Sequence, residues 1–367
     1  MTTLSQKTQT AYPVNGRQIA LFAAFVLPAA KLLEVPSLLA QYAKGDLLLP
    51  ALAHFLLQAT LPFGLLIAAS KTEEPLFKRL EHRFPVGARI FYCGYALYFL
   101  FSAILPLLDL EKFSYAVFFD TAPTVFSFGF FFILSAYICG KGLKSVGRMA
   151  DISLFLFLIP FLSLIGMGLY EADFSHLLPF VGTKFKDTVY AFKRSTPHFS
   201  DTVLLLPLIG NYRPQKGDTA KIMGGYAVGA VSTLLFLAVF FGIYSALAPM
   251  EHYAFSKIGQ YFPALSVIGR VDLLFVYFLS VVLLFYTCLP LQYTASFFCH
   301  ATGIKRRWLV SAFLSLVLFV FVLFFNRRYN GIYQIIGNTL TPVFWLIADL
   351  LPLFFLFLPK MKEERRA

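Results

Sequence analysis

Long apolar runs alternate with short polar segments along the whole chain. Runs such as Leu314–Phe325 are apolar on every face, so they predict helices and lack the alternation of a membrane β-barrel. An apolar run of about 20 residues is long enough to cross the hydrocarbon core of a bilayer as a helix. The runs predict about ten transmembrane helices, at residues 18–40, 47–69, 88–108, 122–140, 150–170, 188–210, 221–247, 271–298, 308–325 and 335–358.

The composition excludes a soluble protein. Of the 367 residues, 58% are hydrophobic and only 14% are charged, whereas a soluble domain carries about 25% charged residues. We therefore expect an all-α, multi-pass integral membrane protein. Its ten-helix transmembrane domain would occupy residues 18–358, between a cytoplasmic N-terminal segment at 1–17 and a basic cytoplasmic tail at 359–367.

The charge distribution predicts the orientation in the membrane. The net charge is +12, and most lysines and arginines fall in alternate loops and in both terminal segments, which are then expected on the inside. These basic residues suit the lipid bilayer surface and not nucleic acid. The four cysteines have no C-x-x-C spacing, so neither a disulfide framework nor a metal site is indicated.

Charged residues and prolines interrupt the first and the sixth predicted spans. Lys31 and Glu34 lie between prolines in the first, and Pro197 and Asp201 lie in the sixth. Each charge at the bilayer centre costs about 2.5–3.5 kcal/mol, so such residues face a protein interior or a water-filled cavity. Broken helices at positions one and six of ten are the pattern of a five-plus-five inverted repeat around a central ligand site.

The two interrupted spans, together with spans three and eight, supply the candidate site. The residues we expect to bind a ligand are Pro28, Ala29, Lys31, Glu34, Tyr98, Ser195, Thr196, His198, Ser200, Tyr286 and Thr287, with Asp201 and Asp349 as buried charges that could couple protons or serve packing. Lys31 and Glu34, spaced i,i+3, could also pair with each other. Lys193 and Arg194 either snorkel to the interface or face the cavity. His54 and Gln58, one turn apart, are expected to bridge helices.

A catalytic reading of these polar residues fails. Ser195, His198 and Asp201 follow one another along one helix, where they cannot converge as nucleophile, base and orienting acid. The sequence has no G-x-S-x-G or H-E-x-x-H motif. We expect no catalytic residue, no cofactor and no resident metal.

Four short motifs occur in an order that resembles the spore-germination GerAB family of the amino acid/polyamine/organocation transporter superfamily. They are Gly147–Ile152, Pro207–Arg213, Gly269–Leu274 and Ile347–Leu353. The resemblance covers about residues 19–362 and implies a transporter fold of the LeuT type. It also matches Arg148 with Asp151, and Arg270 with Asp272, to pairs that would be structural ion pairs or helix caps at the membrane boundary.

The resemblance further implies a function. The chain would be the membrane B-type subunit of a germinant receptor in the spore inner membrane, binding a small nutrient such as an amino acid. Its partners would be an A-type membrane subunit and a C-type lipoprotein. The alternative is a proton-coupled secondary amino-acid transporter, with Glu34, Asp201 or Asp349 carrying the proton.

Overall fold

Helices make up nearly all of the chain in the computed structural model, which describes residues 14–71, 74–117, 124–179, 181–261, 272–304, 306–325, 328–335, 341 and 346–357. Within those ranges there is no β-strand. The described helices are α1 (Gly16–Lys31), α2 (Val35–Ala43), α3 (Leu48–Ser70), α4 (Leu76–Arg83), α5 (Pro85–Ser102), α6 (Ile104–Val117), α7 (Thr124–Lys141), α8 (Leu143–Glu171), α9 (Phe185–Phe199), α10 (Leu206–Gly210), α11 (Asp218–Tyr244), α12 (Ala254–Tyr261), α13 (Asp272–Thr302), α14 (Arg307–Phe325) and α15 (Tyr329–Ile335).

Six of the described helical segments are long and apolar enough to cross a membrane. They correspond to predicted spans two, three, five, seven, eight and nine, and are Leu48–Ser70, Pro85–Phe113, Leu143–Glu171, Asp218–Met250, Leu273–Thr302 and Arg307–Phe325. The first predicted span counts as a seventh if its two halves, Gly16–Lys31 and Val35–Asp46, which are bent by 61° at the break, form one span. The expectation of a multi-pass α-helical membrane protein is confirmed. The total of ten spans and the inverted repeat stay predictions.

The first span is broken between Lys31 and Val35. A π-helical turn at Phe22–Val26 directly precedes the helical segment that carries Pro28. Proline has no backbone N–H and so cannot make the α-helical hydrogen bond to the carbonyl four residues before it. The wider π turn lies where this hydrogen bond is missing. The second half starts at Val35 with Pro36 in its first turn, where a missing N–H leaves no hydrogen bond unmade.

The sixth predicted span changes helix type instead of bending sharply. α9 continues through Pro197 and is followed by six residues of 3₁₀-helix, Ser200–Leu205. Regular α-helix resumes in α10, whose first turn contains Pro207. Both broken spans thus restart at a proline that suits a helix N-terminus.

Helix α11 holds the first half of span one through two glycines. A Cβ atom at Gly229 would lie 2.6 Å from the carbonyl oxygen of Ala23, and one at Gly225 would overlap the carbonyl of Ala20. Only glycine lets the two backbones approach this closely, as in other small-xxx-small helix pairs of membrane proteins. On the other side, α13 packs against α5 and α8 and closes the bundle around the breaks.

The two expected Arg–Asp pairs have different outcomes. Asp151 accepts hydrogen bonds from Arg17, at 2.8 Å, and from the side-chain amide of Gln18, at 2.7 Å, so it fastens the start of α1 to α8. No contact with Arg148 is recorded among the described residues. Arg270 lies outside the described residues, as do the side chain of Asp272 and the tail at 359–367.

Candidate ligand-binding site

A cavity lies where the two broken spans meet α5, α6 and α13. Its volume is about 60 Å³, which is space for about four to six water molecules or a ligand of similar size. Six of the residues that the sequence nominated line it: Tyr98, His198, Ser200, Asp201, Tyr286 and Thr287. The cavity therefore gathers side chains from spans three, six and eight.

The main electrostatic feature beside the cavity is a buried ion pair. Lys31, the last residue of α1, places its Nζ 2.5 Å from Oδ2 of Asp201 in the 3₁₀ segment of span six. Both side chains are at most 5% exposed. The ammonium also donates to the carbonyl of Leu27 at 3.3 Å and lies over the ring of Phe199. The pair joins the two broken spans at their breaks.

Asp201 has acceptor capacity left over. Its Oδ2 also accepts a hydrogen bond of 3.2 Å from the hydroxyl of Tyr286, while Oδ1 is buried and has no hydrogen-bond partner among the described residues. A buried carboxylate oxygen without a donor is unfavourable, since most buried polar atoms are paired. The carboxylate of Asp201 can therefore accept a donor from a ligand in the cavity.

A chain of side-chain hydrogen bonds continues from the neighbouring residue to the last span. The hydroxyl of Thr202 donates to Oε1 of Gln58, and Nε2 of Gln58 donates to Oδ2 of Asp349 at 2.8 Å. Asp349 is 3% exposed and lies in a π-helical turn, and its Oδ1 has no hydrogen-bond partner in the part of the chain that the structure describes. Gln58 bridges helices as expected, and it links span six to span ten through span two.

His54 is the second expected bridge. Its ring is stacked between the rings of Phe192 and Phe199, with centroid distances of 3.8 and 4.4 Å. Nε2 lies 2.9 Å from the carbonyl oxygen of Phe192 and 3.1 Å from Oγ of Ser195. The contact joins α3 to α9, just before the change of helix type.

The remaining nominated residues lie around the cavity and do not line it. Pro28 and Lys31 line a second, smaller cavity that shares Asp201 with the first, and Ala29 is buried. Ser195 and Thr196 are buried, and each donates to a carbonyl one turn back in α9. The sequence left open whether Lys193 and Arg194 extend to the membrane interface or face the cavity. In the structure Lys193 is exposed and Arg194 is buried.

Glu34 turns away from Lys31. Its carboxylate meets Nδ1 of His252 at 3.2 Å, because the helix ends at Lys31 and the i,i+3 spacing no longer applies across the break. The open alternative of a Lys31–Glu34 pair is thereby replaced by the Lys31–Asp201 pair.

The sequence pattern did not predict Asp109 as a site residue. This residue of α6 is 7% exposed and lines the cavity. The signal was present, since Asp109 follows the apolar run Ile104–Leu108 at the end of span three. Its position at a span boundary made it look like a solvated terminal residue.

Comparison with known proteins agrees with this architecture. Residues 68–360 match the family described as spore germination protein. Among solved structures, a Na⁺-coupled sialic acid symporter in a substrate-bound, outward-open state superposes with a TM-score of 0.56 at 15% identity, covering 95% of this chain and 82% of that one. The inward-facing form of Mhp1 gives a TM-score of 0.50 at 13% identity, covering 95% and 76%. No curated protein sequence matches the chain.

The two structural neighbours have the LeuT fold, so the expected transporter fold is confirmed. At these identities the likeness concerns the fold and leaves the ligand open. The family match covers most of the chain and includes both halves of span six, the Gln58 partner Asp349 and all of α13. The chain belongs to the spore germination permease family, of the GerAB type.

Proposed function

We propose that this chain is the membrane B-type subunit of a spore germinant receptor and that it binds a small amino acid in the cavity between the broken spans. The observation that carries the proposal is Asp201, a buried carboxylate with an unpaired oxygen at the break of span six. Such a group recognises an ammonium. Membership of the germination family supports the physiological role.

The size of the cavity limits the ligand. A volume of about 60 Å³ suits about four to six non-hydrogen atoms, the size of glycine or alanine. The hydroxyls of Tyr98, Tyr286 and Thr287 and the imidazole of His198 would complete the polar wall around it.

Signalling would follow from the position of the site. A ligand that contacts both breaks favours one arrangement of the half-helices over another by its differential affinity for the two. An A-type membrane subunit and a C-type lipoprotein would read this change in the spore inner membrane, with both termini of this chain on the inside. The output would then be an assembly response that needs no net transport by this chain.

The test is binding and uptake by the full-length chain in proteoliposomes, with a panel of labelled amino acids and with or without a pH gradient. We expect saturable binding without accumulation. Asp201→Asn should abolish binding, while Asp187→Asn, an exposed acid at the start of α9, should leave it unchanged. If none of the small amino acids in the panel binds, the proposal is contradicted.

A second function, proton-coupled amino-acid transport, is favoured by one specific observation. The hydrogen-bonded chain of Thr202, Gln58 and Asp349 connects a second buried carboxyl group to the segment that carries Asp201. If this chain couples protons, a pH gradient should drive accumulation in the same proteoliposomes, and Asp349→Asn should abolish the accumulation while leaving equilibrium binding. Persistence of driven uptake in that variant would remove Asp349 from the pathway.

A further inference from the structure

The Lys31–Asp201 pair is a closed electrostatic unit. Its two charges sum to zero, and both side chains are at most 5% exposed. Besides the Asp201 carboxylate, the described contacts of the Lys31 ammonium are the carbonyl of Leu27 and the ring face of Phe199, neither of which carries a charge. The ammonium therefore depends on this one carboxylate for its counter-charge.

The same carboxylate faces the space for a ligand. Asp201 belongs to the wall of both cavities, whereas Lys31 lines only the smaller one behind it. A ligand ammonium that reaches Oδ1 of Asp201 from the central cavity therefore shares the single negative charge of this carboxylate with Lys31. An uncompensated charge in such a buried place is strongly unfavourable.

Net charge then decides which ligands can enter. At the Lys31–Asp201 pair, an amine without a carboxylate would leave two cations beside one carboxylate, and an acid without an ammonium would leave two carboxylates beside one cation. Asp109, the other carboxylate in the described cavity wall, has Lys112 as its own cationic neighbour. A zwitterion adds no net charge, and it brings a carboxylate for Lys31 when its ammonium takes Asp201.

We propose that Lys31 is a specificity-determining residue: it makes the site select zwitterions over amines and acids of the same size, by an exchange in which the ligand replaces the Lys31–Asp201 contact with one contact to each residue. This rests on the proposed function. Because Lys31 ends α1 and Asp201 lies in the 3₁₀ segment of span six, the exchange moves the two breaks apart. Ligand selection and the conformational signal are then the same event.

The experiment compares three probes with the same number of non-hydrogen atoms. They are alanine, a zwitterion; alaninamide, a cation at pH 6; and lactate, an anion. Binding of each to the full-length chain in nanodiscs is measured for the wild type, Lys31→Met, Asp201→Asn and the double variant Lys31→Met/Asp201→Asn. Lys221→Met removes an exposed lysine from its ion pair with Asp218, a buried carboxylate that keeps hydrogen bonds from Tyr212 and Gln215, and is the matched control.

The wild type and Lys221→Met should bind alanine about tenfold or more tightly than either charged probe. Lys31→Met should shift the preference toward alaninamide by about tenfold or more, because the free carboxylate then lacks a counter-charge. Asp201→Asn should shift it toward lactate. The double variant has no stranded charge, so it should fold even if a single variant does not, and it should lose the preference for alanine.

Each outcome separates the two proposals. If the wild type binds alanine and Lys31→Met keeps the wild-type order of affinities, the role of Lys31 is overturned while the proposed function stands. If only the double variant folds and it still prefers alanine, the role of Lys31 is overturned in the same way. If the wild type binds none of the probes, the proposed function fails and this inference fails with it.

Discussion

The two broken spans solve the same backbone problem in different ways. At the break of span one, the carbonyls of Leu32 and Leu33 accept hydrogen bonds from the N–H groups of Phe255 and Ala254, which lie at the start of α12. Span six receives no such backbone donor from another segment among the described residues: its 3₁₀ turns bond internally, and the side-chain hydroxyl of Tyr98 donates to the carbonyl of Ser200 at 3.5 Å. Buried backbone groups must be paired in a membrane, so the break in span one depends on the backbone of another segment, whereas the break in span six is paired mainly by its own turns.

This difference assigns the two breaks different roles. Span six places three polar side chains on the cavity, those of His198, Ser200 and Asp201, and its 3₁₀ turns pair backbone groups within the span. Span one carries Lys31, the positive charge that pairs with Asp201. Its first half packs against the glycines of α11, and its break is hydrogen-bonded to α12. Lys31 and Asp201 are the contact between the two systems.

The largest expected effect comes from separating these two charges. Replacing Lys31 by Met or Asp201 by Asn leaves one buried charge without a partner, which should lower the free energy of unfolding by about 3–5 kcal/mol. The double variant removes both charges and should recover most of that loss. Thermal unfolding of the detergent-solubilised variants measures this double-mutant cycle, and additive losses would mean that the pair does not couple the two spans.

The glycine contacts of α11 test how firmly the first half of span one is held. Gly225→Ala would drive a methyl group into the carbonyl of Ala20, and the forced separation of α1 and α11 should cost about 2–3 kcal/mol. Gly224 is the matched control, because a Cβ atom there meets nothing within 4 Å. Gly224→Ala should be neutral or stabilising by up to about 1 kcal/mol. Equal melting temperatures for the two variants would show that the close approach is not needed.

Breaking the hydrogen-bonded chain of Thr202, Gln58 and Asp349 should lower the free energy of unfolding by a smaller amount. Thr202→Val keeps the shape of the side chain but leaves Oε1 of Gln58 buried without a donor, which should cost about 1–2 kcal/mol. Thr233→Val is the comparison, since the hydroxyl of Thr233 donates only to the carbonyl of Gly229 in its own helix. A thermal unfolding scan should separate the two variants, and a loss as large in Thr233→Val would show that any buried hydroxyl matters equally.

The sequence was informative about where the helices break and less so about what breaks them. Pro28 and Pro197 pointed to the correct spans, yet the helix continues through both residues. The halves restart at Pro36 and Pro207, because proline fits the first turn of a helix without loss of a hydrogen bond. A sequence pattern counts prolines, but only the packing around them decides which one opens the helix.

The partner of Lys31 shows the limit more clearly. Local spacing offered Glu34, three residues away, whereas the actual partner, Asp201, lies 170 residues further along the chain. Buried charge in spans one and six could be read from the sequence, and with it the need for partners. Which acidic residue pairs with Lys31 depends on how the two breaks face each other. That arrangement is set by the packing of the whole helix bundle. Asp109 escaped notice for a different reason, because its position at the end of span three resembled a solvated helix terminus.

The smallest expected effect on stability comes from the contact between His252 and Glu34, next to the start of α12 at the break of span one. His252 lies two residues before Ala254, outside the apolar span that ends at Met250, and the hydrogen bond that its ring donates to the carboxylate of Glu34 raises its pKa above the usual 6.5. Glu251 adds to the rise, while partial burial and Lys112 oppose it. Protonated His252 therefore strengthens the attachment of α12 to the break.

The sign of the pH dependence follows from this direction. The contribution of the contact is fully present below pH 6.5 and is lost as the pH rises through the raised pKa of the folded protein. It should remain below about 1 kcal/mol, because the pair is partly exposed and screened by solvent. His252→Gln and Glu34→Gln should each flatten the dependence of the melting temperature on pH between about 5 and 8. If both variants keep the wild-type slope, the contact does not hold the break, and the attachment of α12 rests on its two backbone hydrogen bonds.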